Sequence, residues 1–125
     1  MALCCSQRMS SEDARCGLPE VGLGIIPAAE GTQTLSRAIG QGKALEMLLT
    51  YRWLSGLEAY EMGLVNQVVP NDRLLAIAED MAVRIASRKS IAVRNAKQAV
   101  VRGLDMPLAE GLKMETRLAW DTRLA

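Results

Sequence analysis

The sequence predicts a mostly helical α/β fold, with short strands first and a longer helical region after them. Three observations lead there. Half of the 125 residues are hydrophobic, so the chain can bury a core and a disordered reading fails. From Thr32 onward the apolar residues recur at helical spacing, with capping signals between the runs. Strand-like stretches are few and brief, and most lie in the first twenty residues. Two regions follow from this, residues 1–70 with the strands and residues 71–125 with three helices.

In chain order, Met1–Cys5 reads as a buried strand and the stretch up to Cys16 as a second short one. The apolar segment from Val21 to Pro27 contains two glycines and a proline, which disfavour both helix and central strand, so it reads as an irregular loop. Thr32 is placed as the N-cap of a helix that stops at Gly40. A second helix covers 41–50, with Ala44, Leu45, Leu48 and Leu49 on one face. Ser55 and Glu58 have the spacing of a capping box, which predicts a short helix over 55–62 ended by Gly63. A strand over 64–69 closes at Pro70. Asn71 or Asp72 then caps a helix whose stripe is Leu74, Leu75, Ala78, Met81, Ala82, Ile85 and Ala86. Further helices run from about Ser90 to Val101 and from about Pro107, the latter carrying Leu108, Leu112, Leu118 and Ala119.

Composition excludes several functions. There is no Phe and only 3% aromatic residues, so the core must be aliphatic with seven Met available to fill it. Fifteen Lys and Arg against 14 Asp and Glu leave a net charge of +1, which offers nucleic acid no electrostatic footprint. No apolar run is long enough to span a membrane. The Ser-containing N-terminus is not expected to be a targeting leader, because Glu12 and Asp13 follow too soon. There is no His, which rules out Ser-His-Asp and Cys-His nucleophile systems and His-ligated zinc within these residues. Cys4, Cys5 and Cys16 contain no C-x-x-C pair and suggest thiols in a reducing compartment.

The block Glu12-Asp13-Ala14-Arg15-Cys16-Gly17-Leu18-Pro19-Glu20-Val21-Gly22-Leu23-Gly24-Ile25-Ile26-Pro27 resembles the central block of the enoyl-CoA hydratase/isomerase (crotonase) family. Gly31-Thr32-Gln33 with Leu35 and Arg37 is similar to that family's next helix start. Trp53-Leu54-Ser55, Glu58-Ala59, Gly63-Leu64-Val65-Asn66, Val68-Val69-Pro70 and the surroundings of Lys97 and Glu115 continue the match in order. The resemblance implies the C-terminal part of a ClpP/crotonase-type spiral fold, followed by a helical region that trimerises. It implies a homo-oligomer, a trimer or a dimer of trimers. It also implies an acyl-CoA thioester as substrate, with no cofactor or metal, and a cytoplasmic location, or the mitochondrial matrix or peroxisome in a eukaryote.

By the same resemblance Glu20 stands at the family's acid/base glutamate, and Leu23 and Ile26 face the acyl chain. Hydration of a conjugated thioester needs a proton at the α-carbon. A carboxyl in apolar surroundings, here expected from Val21, Leu23, Ile25 and Ile26, suits that task near neutrality. Without the resemblance, a Glu after Pro at a strand end is most simply a solvated turn residue. Cys16 lacks a partner base and reads as a buried thiol. Lys89, Arg94, Lys97 and Arg102 read as the solvated face of a helix before they read as contacts to CoA phosphates.

The resemblance also has departures. Ala28-Ala29-Glu30-Gly31 stands where the family has a Gly-x-Gly-Gly turn, which puts Glu30 where positive φ is expected. Cys16 stands at a usual aromatic, Ser6 at a usual Asp and Tyr51 at a usual Gly. The two oxyanion-hole loops and a second carboxylate belong ahead of Met1 in the family pattern, and a last helical segment after Ala125. The expectation is therefore a truncated family member. Each missing oxyanion donor costs about 2.7–4 kcal/mol of transition-state stabilisation, so the chain by itself is expected to be inactive. Its alternatives are an isomerase that uses Glu20 alone and a non-catalytic assembly module.

Overall fold

A computed structural model describes residues 2–124, which divide into two compact units, Met1–Ala78 and Glu79–Ala125. The first unit holds four short strands, β1 (Met9–Ser11), β2 (Arg15–Cys16), β3 (Leu54–Ser55) and β4 (Gln67–Val69). β1 pairs in parallel with β4, setting Met9 opposite Gln67 and Ser11 opposite Val69. β2 pairs antiparallel with β3, setting Cys16 opposite Leu54. The helices are α1 (Gly31–Ile39), α2 (Gln41–Leu49) and α3 (Gly56–Glu61), and α4 (Leu74–Ala86) begins in this unit.

The core is aliphatic, as the composition requires. Leu35 and Ile39 of α1 share a face at i and i+4, and Ala44, Met47 and Leu48 of α2 share one at i, i+3 and i+4. These faces close over Leu54, Ala59, Leu64 and Val65. The predicted face of α2 is thus corrected in part. Met47 is buried, while Leu45 and Leu49 remain exposed, because the helix turns its narrower i, i+3, i+4 stripe inward.

The start of the chain differs from expectation. Ala2–Cys4 forms a 3₁₀ turn rather than a buried strand, with Leu3 partly buried against the core and Ala2 and Cys4 exposed, and Met1 lies outside the described residues. Cys4 Sγ donates to Glu30 Oε2 at 3.4 Å, which raises its thiol above the ordinary range. Helix α1 begins at Gly31 with Glu30 as its N-cap, so Thr32 lies within the first turn. Glu30 has φ 65°, the left-handed backbone anticipated at that position.

The capping box forms as predicted. Ser55 Oγ accepts from Glu58 N–H at 3.2 Å, while Glu58 accepts from Ser55 N–H at 2.8 Å. Arg52 bridges Glu58 and Glu46, each at 2.7 Å. The Ser55 backbone N–H, then Arg52, then the Ser55 hydroxyl hold the Glu58 carboxyl at about 2, well below the usual carboxylate range. A carboxyl whose folded pKa is depressed contributes stability above its unfolded pKa and loses that contribution as pH falls through the folded value. We therefore expect the thermal midpoint to drop as pH is lowered from about 4.5 towards about 2. In Glu58→Gln that slope should flatten; calorimetry across this range checks it.

Gly56 opens α3 against β1. A Cβ at this position would lie 2.5 Å from the Ser11 carbonyl oxygen, and a backbone atom paired in a strand cannot move aside. Gly56→Ala should therefore destabilise the first unit by about 1–3 kcal/mol by overpacking, despite the better helix propensity of Ala. Urea denaturation measures this.

The second unit contains α5 (Ser90–Gly103) and α6 (Leu108–Leu124), with the later part of α4. α5 and α6 pack together through Asn95, whose amide donates to Leu118 O at 3.1 Å and Thr122 Oγ1 at 2.8 Å, beside the buried Leu118. The predicted stripes of the three helices are only partly covered. α4 and α5 contain no buried residue among those described, and Leu75, Val100, Leu108, Leu112 and Trp120 are exposed. Among the described residues no helix is long and apolar enough to cross a membrane.

Candidate active site

Glu20 sits in the 3₁₀ turn Pro19–Leu23, just after β2. Pro19 presets the first position of the turn, and Gly24 ends it in the left-handed region at φ 75°. Two hydrogen bonds close it, Gly24 N–H to Val21 O at 3.0 Å and Ile25 N–H to Glu20 O at 3.1 Å. On the N-terminal side, Leu18 is partly buried against the core cluster and anchors the turn to α1 and α2.

The Glu20 side chain does not lie in bulk solvent. The residue is half-buried, and its Oε2 is buried with no hydrogen-bond partner among the described residues. Most buried carboxylate oxygens are satisfied, because leaving one unpaired costs about 1–3 kcal/mol or more. Glu20 Oε2 is thus a buried acceptor left without a partner among the described residues, on a turn that Leu18 ties to the core.

The apolar surroundings expected for Glu20 are arranged differently. Leu23 is 72% exposed and Ile26 68%, and Ile25 is exposed too. They lie on the outside of the turn and do not enclose Glu20 within this chain. Two rings from another part of the sequence pack on and beside the turn. Gly17 lies against the Trp53 indole and Gly22 against the Tyr51 ring, so closely that a Cβ would clash, at 2.6 Å from the indole and 2.8 Å from the phenol ring. The sequence reading of the site did not include Tyr51 or Trp53. A pairing of glycine with a ring thirty residues away leaves no local pattern to find.

A cavity of about 430 Å³ lies near this turn's anchor, lined by Leu3, Met9, Cys16, Leu18, Leu35 and Trp53 among others. Glu20, Leu23 and Ile26 are not among its lining residues. Cys16 is half-buried, and loss of hydration pushes its thiol up, so it is a poor nucleophile. Among the described residues no group of three or more Cys, Asp or Glu is placed to hold a metal. Lys89, Arg94, Lys97 and Arg102 are all exposed in the second unit, as a solvated face predicts.

The family described as "Enoyl-CoA hydratase/isomerase" matches residues 1–123. Crotonyl-CoA hydratase of Syntrophomonas wolfei is 44% identical over 85 residues, covering 68% of this chain and 33% of that protein. A glyoxysomal fatty acid beta-oxidation multifunctional protein of Cucumis sativus is 46% identical over 85 residues, 68% of this chain and 12% of that protein. The crystal structure of an enoyl-CoA hydratase from Bacillus anthracis superposes with a TM-score of 0.96 at 44% identity, covering 98% of this chain and 48% of that one. The chain thus spans a third or less of these two curated relatives and about half of the solved structure.

Proposed function

Because this chain belongs to the enoyl-CoA hydratase/isomerase family, we propose that it supplies the acid/base part of a site that hydrates 2-enoyl-CoA thioesters, with Glu20 as the catalytic carboxyl. The observation that carries this reading is the buried, unpartnered Glu20 Oε2 on a turn fixed by Pro19, Gly24 and the core contact of Leu18. The order of events follows from the chemistry. Water adds at C3 of the conjugated thioester and the π electrons move towards the thioester carbonyl. The protonated carboxyl of Glu20 delivers its proton to C2, forming the C–H bond and leaving a carboxylate, which a proton from the added water restores. Donors to the enolate oxygen supply the larger electrostatic term, and in the family pattern they belong to loops ahead of Met1.

Leu23 at the end of the Glu20 turn and Ile26 three residues beyond it expose apolar side chains that are free to cover the acyl tail. In this reading the exposed apolar positions of α5 and α6 meet further copies of the chain in a trimer or a dimer of trimers.

The assay is hydration of crotonyl-CoA by the protein, run alone and after refolding with the separately produced N-terminal half of the Bacillus anthracis hydratase. The proposal expects hydration in the reconstituted sample. A double-bond shift on a 3-enoyl-CoA without hydration assigns the site to isomerisation, which one carboxylate serves. Neither reaction in either sample overturns the assignment.

A further inference from the structure

The segment Tyr51–Trp53 joins α2 to β3 and carries two of the chain's four aromatic residues. Tyr51 has φ 58°, a left-handed backbone that residues with a Cβ rarely adopt. A strained residue persists only where its surroundings over-determine it, and such residues gather at functional sites. The surroundings here are specific. Arg52 is tied down on both sides by Glu46 and Glu58 at 2.7 Å, and its N–H donates to Met47 O at 3.1 Å. With Arg52 fixed, the flanking rings fall on Gly17 and Gly22, one on each side of Pro19 and Glu20. The missing side chain at Gly22 is what admits the Tyr51 ring, because a Cβ there would lie 2.8 Å from Cδ2 and 2.9 Å from Cε2.

We propose that Tyr51 is a positioning residue: its ring, seated in the notch at Gly22 by the left-handed backbone, holds the turn that presents Glu20. This role rests on the assignment of Glu20 above, but its structural content is tested without any turnover.

Two amides report the turn, Gly24 N–H bonded to Val21 O and Ile25 N–H bonded to Glu20 O, and Glu58 N–H, bonded to Ser55 Oγ, reports the neighbouring cap. Native-state hydrogen exchange is measured for the wild type, Tyr51→Gly, Tyr51→Phe, Gly22→Ala and the compound Tyr51→Gly, Gly22→Ala. We expect exchange at Gly24 and Ile25 to rise at least tenfold in Tyr51→Gly and in Gly22→Ala. It should stay within twofold of wild type in Tyr51→Phe, which keeps the ring. At Glu58 it should change less than twofold throughout. Adding Gly22→Ala to Tyr51→Gly should have no further effect, since the ring it displaces is gone. Unchanged exchange at Gly24 and Ile25 in Tyr51→Gly overturns the proposal, as does an equal rise at Glu58, which would mean general loosening. Neither outcome bears on whether Glu20 transfers a proton, so the two claims fail separately.

Discussion

Glu20→Gln is expected to lower kcat for crotonyl-CoA hydration by about 10²–10⁴-fold, equivalent to about 2.7–5.4 kcal/mol, with little change in KM. The substitution keeps the size and planarity of the side chain and removes the transferable proton. The amide fits the same partly buried place on the Pro19–Leu23 turn, so folding should be preserved. An interaction needed only as the C2–H bond forms appears in kcat and spares KM. The measurement is steady-state hydration by the reconstituted enzyme, beside a denaturation curve showing equal stability of the two proteins.

The second large effect is structural. Leu54→Ala should destabilise the first unit by about 2–5 kcal/mol. Leu54 is fully buried at the centre of the core cluster and lies opposite Cys16 in the β2–β3 pair. Truncation removes its apolar contacts and leaves a void in the core cluster formed with Leu35, Met47, Ala59 and Leu64. Leu57→Ala, only three residues on but 58% exposed, should stay within about 0.5 kcal/mol of wild type. Urea denaturation followed by tryptophan fluorescence compares the pair, since Trp53 adjoins Leu54. A loss in Leu54→Ala equal to that in Leu57→Ala would contradict the assigned core.

What the sequence could reveal was what is decided locally. The Ser55–Glu58 capping box, the stop at Gly40, the turn at Gly63 and the breaks at Pro19 and Pro70 are set by residues within one turn of each other, and all appear in the fold. The left-handed backbone at Glu30 was legible only through the family resemblance, which has glycine there, and that at Tyr51 was not inferred, although a glycine is usual at that position too. Non-local pairing was not legible. β1 joins β4 across 58 residues through buried Ser10 and Ser11, which carry no strand signal of their own. β3 is too short to produce alternation. Met1–Cys5 is apolar enough for a strand, yet Ala2–Cys4 makes a 3₁₀ turn that packs Leu3 against the core.

The candidate site divides the same way. Pro19-Glu20 with its glycines marks a turn that displays a carboxylate, and the turn is there. Periodicity could not say which side of an irregular apolar segment faces inward. Leu23, Ile25 and Ile26 are exposed, and the rings packed against the glycines on either side of Glu20 are those of Trp53 and Tyr51.

The most direct test follows the proton itself. Crotonyl-CoA is hydrated in D₂O by the reconstituted enzyme, and the rate of deuterium incorporation at C2 of the 3-hydroxybutyryl-CoA formed is compared for the wild type and Glu20→Gln. Delivery of the C2 proton by Glu20 predicts labelled product from the wild type and at least 100-fold slower labelling from Glu20→Gln. Equal rates of C2 labelling from the two proteins would mean that another group carries the proton.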